Sequence, residues 1–490
     1  MSDVHTLPTP ISSPPRSRRR RRAIVAVILL AIVCVGCWAY RQFTTPEIPE
    51  PFDVAGYVAY TLPDEKNAFA YYRRAVAALV KEDAVFAANP SFKRDEFWES
   101  WHATAEKGWD YAVPSVRQWV KLNGPMLAEL KRGAGCAESL EFPVADAANE
   151  DFLSFEWGTL QTCIRVQTLE GLRLTAERHP EEAWSCFRDS LRTSRHLAMH
   201  ASPIQTMFGV VFGEQAAQAA VVWAAEPSVG PADLRRAIHD LGTVEAMRAP
   251  ASDQLKLEYL WLRANATRGT LGLSPTPSWV RATGYPAQIG QNAGLVVANL
   301  ITQADRPKYE RTAIHPGELH LYELDPATPH DPRLRPPAEI EAAATNSAAA
   351  LAKVLRRISP DSAQQLAYCD PSLLLGGLWQ ASQHRDIAQA HRSALLLALA
   401  LELYYREHHE FPAALNELVA RGILPSIPLD PLGTGESYHY RREAPATRGA
   451  TLWSVYTDGI DNGGVSLHDG KGDLVLRVPA PGADNQSQPE

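Results

Sequence analysis

The sequence predicts a mainly α-helical protein: a single membrane span, then an irregular helical bundle or solenoid, then a small α+β module at the C-terminal end. Three observations predict it. Five consecutive arginines, Arg18 to Arg22, abut an uncharged apolar run. Apolar residues then recur at three- and four-residue steps through much of 64–265, the period of one helix face. Strand signals, with alternation and β-branched or aromatic content, are confined to 451–459 and 472–479.

The run Ala23 to Tyr40 holds eighteen residues without a charge, which as a helix spans about 27 Å, just enough for a bilayer core. Trp38 and Tyr40 stand where an interfacial aromatic belt forms, and Arg41 ends the run. Arginines on the N-terminal side predict a cytoplasmic N-terminus and an exported body. Val35-Gly36-Cys37 ends like a lipobox, although Cys34 stands where Leu is usual, so a lipoprotein held through Cys37 is the alternative. A cleaved signal peptide is the third reading, but no A-x-A pattern follows the run. All three put the bulk outside the cytoplasm, on the bacterial inner membrane and in the periplasm.

Charge divides the same way. The 490 residues sum to −8, but residues 1–40 carry +5 and residues 41–490 carry −13. An acidic body argues against a nucleic-acid partner. A hydrophobic fraction of 45% excludes wholesale disorder and a polytopic membrane protein alike.

Composition shifts set the boundaries. Residues 1–22 read as a disordered basic cytoplasmic tail, 23–40 as the transmembrane anchor and 42–63 as a Pro-rich stalk. Residues 64–265 form the α-helical domain. Its helices start at 67–80, continue through 94–131 with a break at Pro114, and are strongest at 153–225. There Leu153, Trp157, Leu160 and Ile164 mark one stripe, and Ala183, Phe187, Leu191, Ser194 and Leu197 a second. Residues 204–225 are apolar nearly all round, as in a central buried helix. Residues 266–337 form an irregular Pro/Gly-rich segment, with a helical island near 291–303 and a proline-crowded end. A helical connector spans 338–382, the α+β module 383–478, and a disordered tail 479–490. In the module Ile387, Ala390, Ala394, Leu397, Leu401 and Tyr404 share one helix face.

Cys136, Cys163, Cys186 and Cys369 follow the span. No C-x-x-C occurs among them, which excludes zinc ribbons and thioredoxin-like motifs. They are either bridged, with Cys163–Cys186 the favoured pair, or buried free thiols.

Within 383–478 a helix ending Ala400-Leu401 and Tyr404-Tyr405 precedes His409-Glu410-Phe411-Pro412. Leu424-Pro425, Asp430-Pro431-Leu432-Gly433, Tyr438-His439-Tyr440, Trp453-Ser454-Val455-Tyr456-Thr457-Asp458-Gly459 and Gly463-Gly464 follow in order. The series resembles the major pseudopilin of type II secretion systems over about a fifth of the chain. Tyr456 replaces a glycine of the family pattern, and no G-F-T-L-x-E processing motif occurs, so polymerisation by N-terminal helix stacking is not expected. The arrangement of anchor, helical middle and pseudopilin-like tail also resembles membrane-anchored proteins of planctomycete-type bacteria. The first resemblance implies a calcium ion in the last loop. Asp458, Asp461, Asn462, Asp469 and Asp473 supply five oxygen donors within sixteen residues, interleaved with glycines. Calcium takes six to eight hard oxygens, and glycines let the backbone supply some of them. The spacing does not fit an EF-hand.

His408-His409-Glu410 lacks the H-E-x-x-H spacing of a helical zinc site, and no G-x-S-x-G, Walker or G-x-G-x-x-G motif occurs. The residues therefore point to a membrane-anchored extracytoplasmic scaffold or protein-interaction protein, beside a secretion or pilus-like system. The alternative is a cell-envelope hydrolase with its site in the helical region.

Overall fold

The computed structural model describes residues 25–35, 52–145, 155–247, short pieces between 249 and 275, 371–433, 435–443, 449–456, 460–466 and 472–478. The islands expected near 291–303 and 339–358, the proline-rich boundary, Leu153, Cys369, Asp458, Asp469 and the tail lie outside the described residues.

The first described helix, α1, covers 25–35 and every one of its side chains is exposed. Among the described residues no helix is long and apolar enough to cross a membrane. The body follows as α2 (Val54–Val58), α3 (Ala68–Ala78), α4 (Glu82–Ala88), α5 (Arg94–Lys107), a 3₁₀ turn (Trp109–Tyr111), α6 (Pro114–Leu122) and α7 (Gly124–Ala134). Then come α8 (Trp157–Ala176), α9 (Pro180–His196), α10 (Pro203–Ala225) and α11 (Pro231–Ala246). A two-residue hairpin pairs β1 (Thr270–Leu271) with β2 (Ser274–Pro275). The last part holds α12 (Pro371–His408), α13 (Asn416–Ala420) and the antiparallel meander β3 (His439–Arg442), β4 (Ala450–Ser454), β5 (Leu474–Val478). Mainly helical is the right class.

Local chemistry explains the boundaries. Pro180, Pro203 and Pro231 each open a helix, where the missing N–H would have had no intrahelical partner. Ser202 caps α10 through the Gln205 amide, and Gln205 returns the bond to the Ser202 N–H. Asn67 caps α3 by accepting from the Phe69 amide at 3.0 Å, and its Nδ2 donates to the Leu140 carbonyl at 2.7 Å. The same Oδ1 accepts from the Leu140 amide at 2.9 Å, which ties the chain after α7 to the start of α3.

The described residues bury two large apolar clusters and a smaller one. An aromatic one holds Phe69, Tyr72, Phe97, Trp101, Trp119, Trp157 and Phe212. The other large one joins Trp184, Phe187 and Trp223 of the body to Leu397, Leu401, Leu418, Leu452 and Val478. The structure corrects the expected division here: 64–265 and 383–478 share this second core. The reason is α12. The sequence suggests one apolar face, but Leu395, Ala398, Leu399 and Leu403 are buried as well. The stretch 392–404 is buried nearly all round and needs cover on both sides, which α10 and α11 supply together with β4 and β5. Gly209 and Gly213 let α10 lie close on α9: a Cβ at 213 would meet Ser194 Oγ at 2.7 Å.

Two further expectations change. The segment 42–63 does not run as a stalk to its end, because Val54, Tyr57, Val58, Tyr60 and Leu62 pack on Leu140, Val144, Leu257 and Leu260. Tyr57 donates to the Asp253 carbonyl at 3.2 Å. The favoured Cys163–Cys186 bridge is absent, since both are free thiols. Cys163 is buried in the aromatic cluster and Cys186 packs against the other.

Candidate functional site

The β4–β5 connection carries the expected calcium donors, of which Asp461, Asn462 and Asp473 are described. Asp473 is fully buried at the foot of β5. Its carboxylate accepts from the Asn462 amide at 3.1 Å and the Gly464 amide at 2.8 Å. Gly463 and Gly464 stand at φ 70° and 80°, the left-handed region that turns those amides inward without a Cβ penalty. Asp461 Oδ1 accepts from the Gly463 amide at 2.8 Å and from Trp453 Nε1 at 2.9 Å. These bonds hold its carboxyl below the usual range, the Gly463 amide contributing most. His439 lies flat on Trp453, with centroids 5.3 Å apart and planes at 12°. Its Nδ1 is 3.6 Å from Asp461 Oδ2.

Asp461 and Asp473 thus act on the loop's own amides, and Asn462 Nδ2 donates to the Ile460 carbonyl at 3.0 Å. Each carboxylate keeps lone pairs beyond those used, so the donor set is chemically suited to a hard cation. Among the described residues no three His, Cys, Asp or Glu side chains converge on a metal position. The His408-His409-Glu410 run diverges. His408 packs on Tyr404 at 4.4 Å, His409 turns to φ 60°, and Glu410 lies 3.4 Å from Arg442.

The helical body holds a second arrangement that the sequence did not single out. A cavity of about 660 Å³ opens where the ends of α8 and α10 meet the 3₁₀ turn and the start of α9. Trp109, Asp110, Thr175, Arg178, Glu226 and Ser228 are among its lining residues, with Leu172 and Val222 as apolar wall. Glu226 is half-buried, and burial followed by the nearby Asp110 charge pushes its carboxyl above the usual range. Arg406 of α12 donates to the Ala224, Ala225 and Glu226 carbonyls at 3.3, 3.1 and 2.8 Å and so caps α10. Arg178 stands at φ 64°, where helices commonly place glycine. The His179 amide bonds back to the Leu174 carbonyl at 2.8 Å across it. A proline follows each of those helix ends, Pro180 after α8 and Pro227 after α10. Nothing in linear order says that those ends meet.

The body also buries a polar chain. Tyr72 donates its hydroxyl to His196 Nδ1 at 2.6 Å, and His196 Nε2 lies 3.1 Å from the Cys136 carbonyl. A carbonyl only accepts, so Nε2 carries the proton and Nδ1 is the acceptor. Burial pushes this imidazole down to about 3.

Comparison with known proteins adds no assignment: no protein-family model, no curated protein and no solved structure matches the chain.

Proposed function

We propose that the chain is a membrane-anchored, extracytoplasmic interaction scaffold of the bacterial cell envelope, with residues 23–40 as its span and the N-terminus in the cytoplasm. The observation that carries this reading is the state of α1. Val25, Val27, Leu30, Ile32 and Val35 are each more than half exposed. A row of bare aliphatic side chains on a helix is a surface that needs a partner or a bilayer. Five arginines precede it and an acidic body follows, the asymmetry of a span with its basic flank inside.

The pseudopilin resemblance supports an interaction role more than a fibre-subunit role. A subunit that stacks through its long helix needs a face of that helix uncovered, and the 392–404 stretch of α12 is packed between α10, α11 and the sheet. The scaffold reading includes a calcium ion in the β4–β5 loop, held by Asp458, Asp461, Asn462, Asp469 and Asp473. A hydrolase is the second reading. The two carboxylates in the cavity, Asp110 exposed and Glu226 half-buried, favour it, because unlike surroundings separate an acid from a base.

Crosslinking in native membranes followed by purification tests the scaffold. Recovery of secretion or pilus-assembly components in stoichiometric amount supports it; recovery of the chain alone contradicts it.

A further inference from the structure

The cavity between the helix ends has the size of a small-molecule site, and the groups around it restrict what it can hold. At about 660 Å³ it is far larger than a bare metal ion needs. Asp110 and Glu226 set two carboxylates against the single guanidinium of Arg178 in the lining, a balance that disfavours phosphate, sulfate or other anions. An apolar ligand would strip water from three charged side chains without replacing their hydrogen bonds. Arg178 in the same lining, and Arg406 on the carbonyls behind Glu226, weigh against a polycation. What fits is a neutral ligand that both donates and accepts hydrogen bonds along its length and keeps some C–H surface for Leu172 and Val222.

We propose that this cleft binds a neutral oligosaccharide, with the Asp110 and Glu226 side chains accepting from its hydroxyls and the Arg178 guanidinium donating to its oxygens. Two observations besides the volume support it. Arg178 keeps a long side chain at φ 64°, a conformation that costs of order 1 kcal/mol for a residue with a Cβ and is often retained for function. Glu226 is half-buried and Asp110 exposed in the same lining, which offers acceptors at two depths to successive hydroxyls. The inference concerns binding, and it does not depend on the anchor or on the scaffold role.

The test uses the full chain kept in an amine-oxide detergent, which carries no sugar to compete. N-acetylchitotetraose, cellotetraose and spermidine are titrated in separate calorimetric experiments. Saturable binding of at least one tetrasaccharide is expected, weakened about tenfold or more by Arg178→Gly and by Asp110→Asn. Arg178→Gly is the decisive variant, because glycine suits the backbone there and the melting temperature should hold or rise while binding is lost. Absence of saturable binding by either sugar, binding of spermidine alone, or undiminished sugar binding in both variants overturns the proposal.

Discussion

Arg392 of α12 holds Glu245 of α11 at 2.9 Å between its Nε and the Oε1, and Arg195 of α9 pairs with the same carboxylate. Both arginine side chains are under a tenth exposed. One carboxylate therefore links the helical body to the long helix of the C-terminal part.

Removing that carboxylate leaves two buried guanidinium groups without their shared counter-charge. Glu245→Ala should cost about 2–4 kcal/mol, less than the ~3–5 kcal/mol of a fully buried pair broken from one side, because the Glu245 side chain is itself 36% exposed. It should also lower the denaturation midpoint of the whole fold in one transition, read by tryptophan fluorescence and far-UV dichroism together. Separate transitions for body and C-terminal part would contradict a common core.

His196 predicts an acid limb. Its imidazole, buried between Tyr72 and the Cys136 carbonyl, titrates at about 3 in the fold, against about 6.5 in an unfolded chain. The unfolded state therefore binds a proton first as pH falls. The stability from the neutral imidazole is fully present above pH 6.5 and is lost progressively between about 6.5 and 3. His196→Gln should flatten that limb, and Tyr72→Phe should cost about 1–2 kcal/mol near neutral pH by leaving Nδ1 without its donor. Chemical denaturation at a series of pH values measures both.

The loop carries a paired expectation. Asp473→Ala should destabilise the fold by about 1–3 kcal/mol even in chelator, because the Asn462 and Gly464 amides lose a buried acceptor. Calcium should raise the thermal midpoint of the full chain, and Asp458→Ala should abolish the rise. An identical melt in excess calcium and in chelator removes the ion from the account while leaving the Asp473 expectation intact.

Close packing of α9 on α10 gives a fourth prediction. Gly213→Ala puts a methyl group 2.7 Å from Ser194 Oγ, an overpacking that costs about 1–3 kcal/mol. Ser194→Gly in the same chain should return most of the loss. A double variant no more stable than the single one would mean that the helices shift apart instead.

Much of the helical order was legible because it is local. Proline at helix starts and the spacing of Trp157, Leu160 and Ile164 act over a few residues, and their elements form where the pattern predicts. What the sequence could not convey is how many neighbours a face has. The segment Ala394–Leu403 reads as one stripe until α10, α11 and the sheet are seen to enclose it. The candidate loop was legible as a run of Asp, Asn and Gly, but the burial of Asp473 was not, since it depends on where β5 sits. The cavity was least legible of all. Asp110, Arg178 and Glu226 are distant in sequence and meet only because α8 and α10 end on the same side of the body.

The most direct test of the central claim is the side of the membrane on which the body lies. Alkaline phosphatase and β-galactosidase are fused in separate strains after residue 478 of the full chain. An anchored, exported body gives an active phosphatase, an inactive galactosidase, and loss of phosphatase activity on deletion of 23–40. An active galactosidase with a silent phosphatase would place the body in the cytoplasm and contradict that claim.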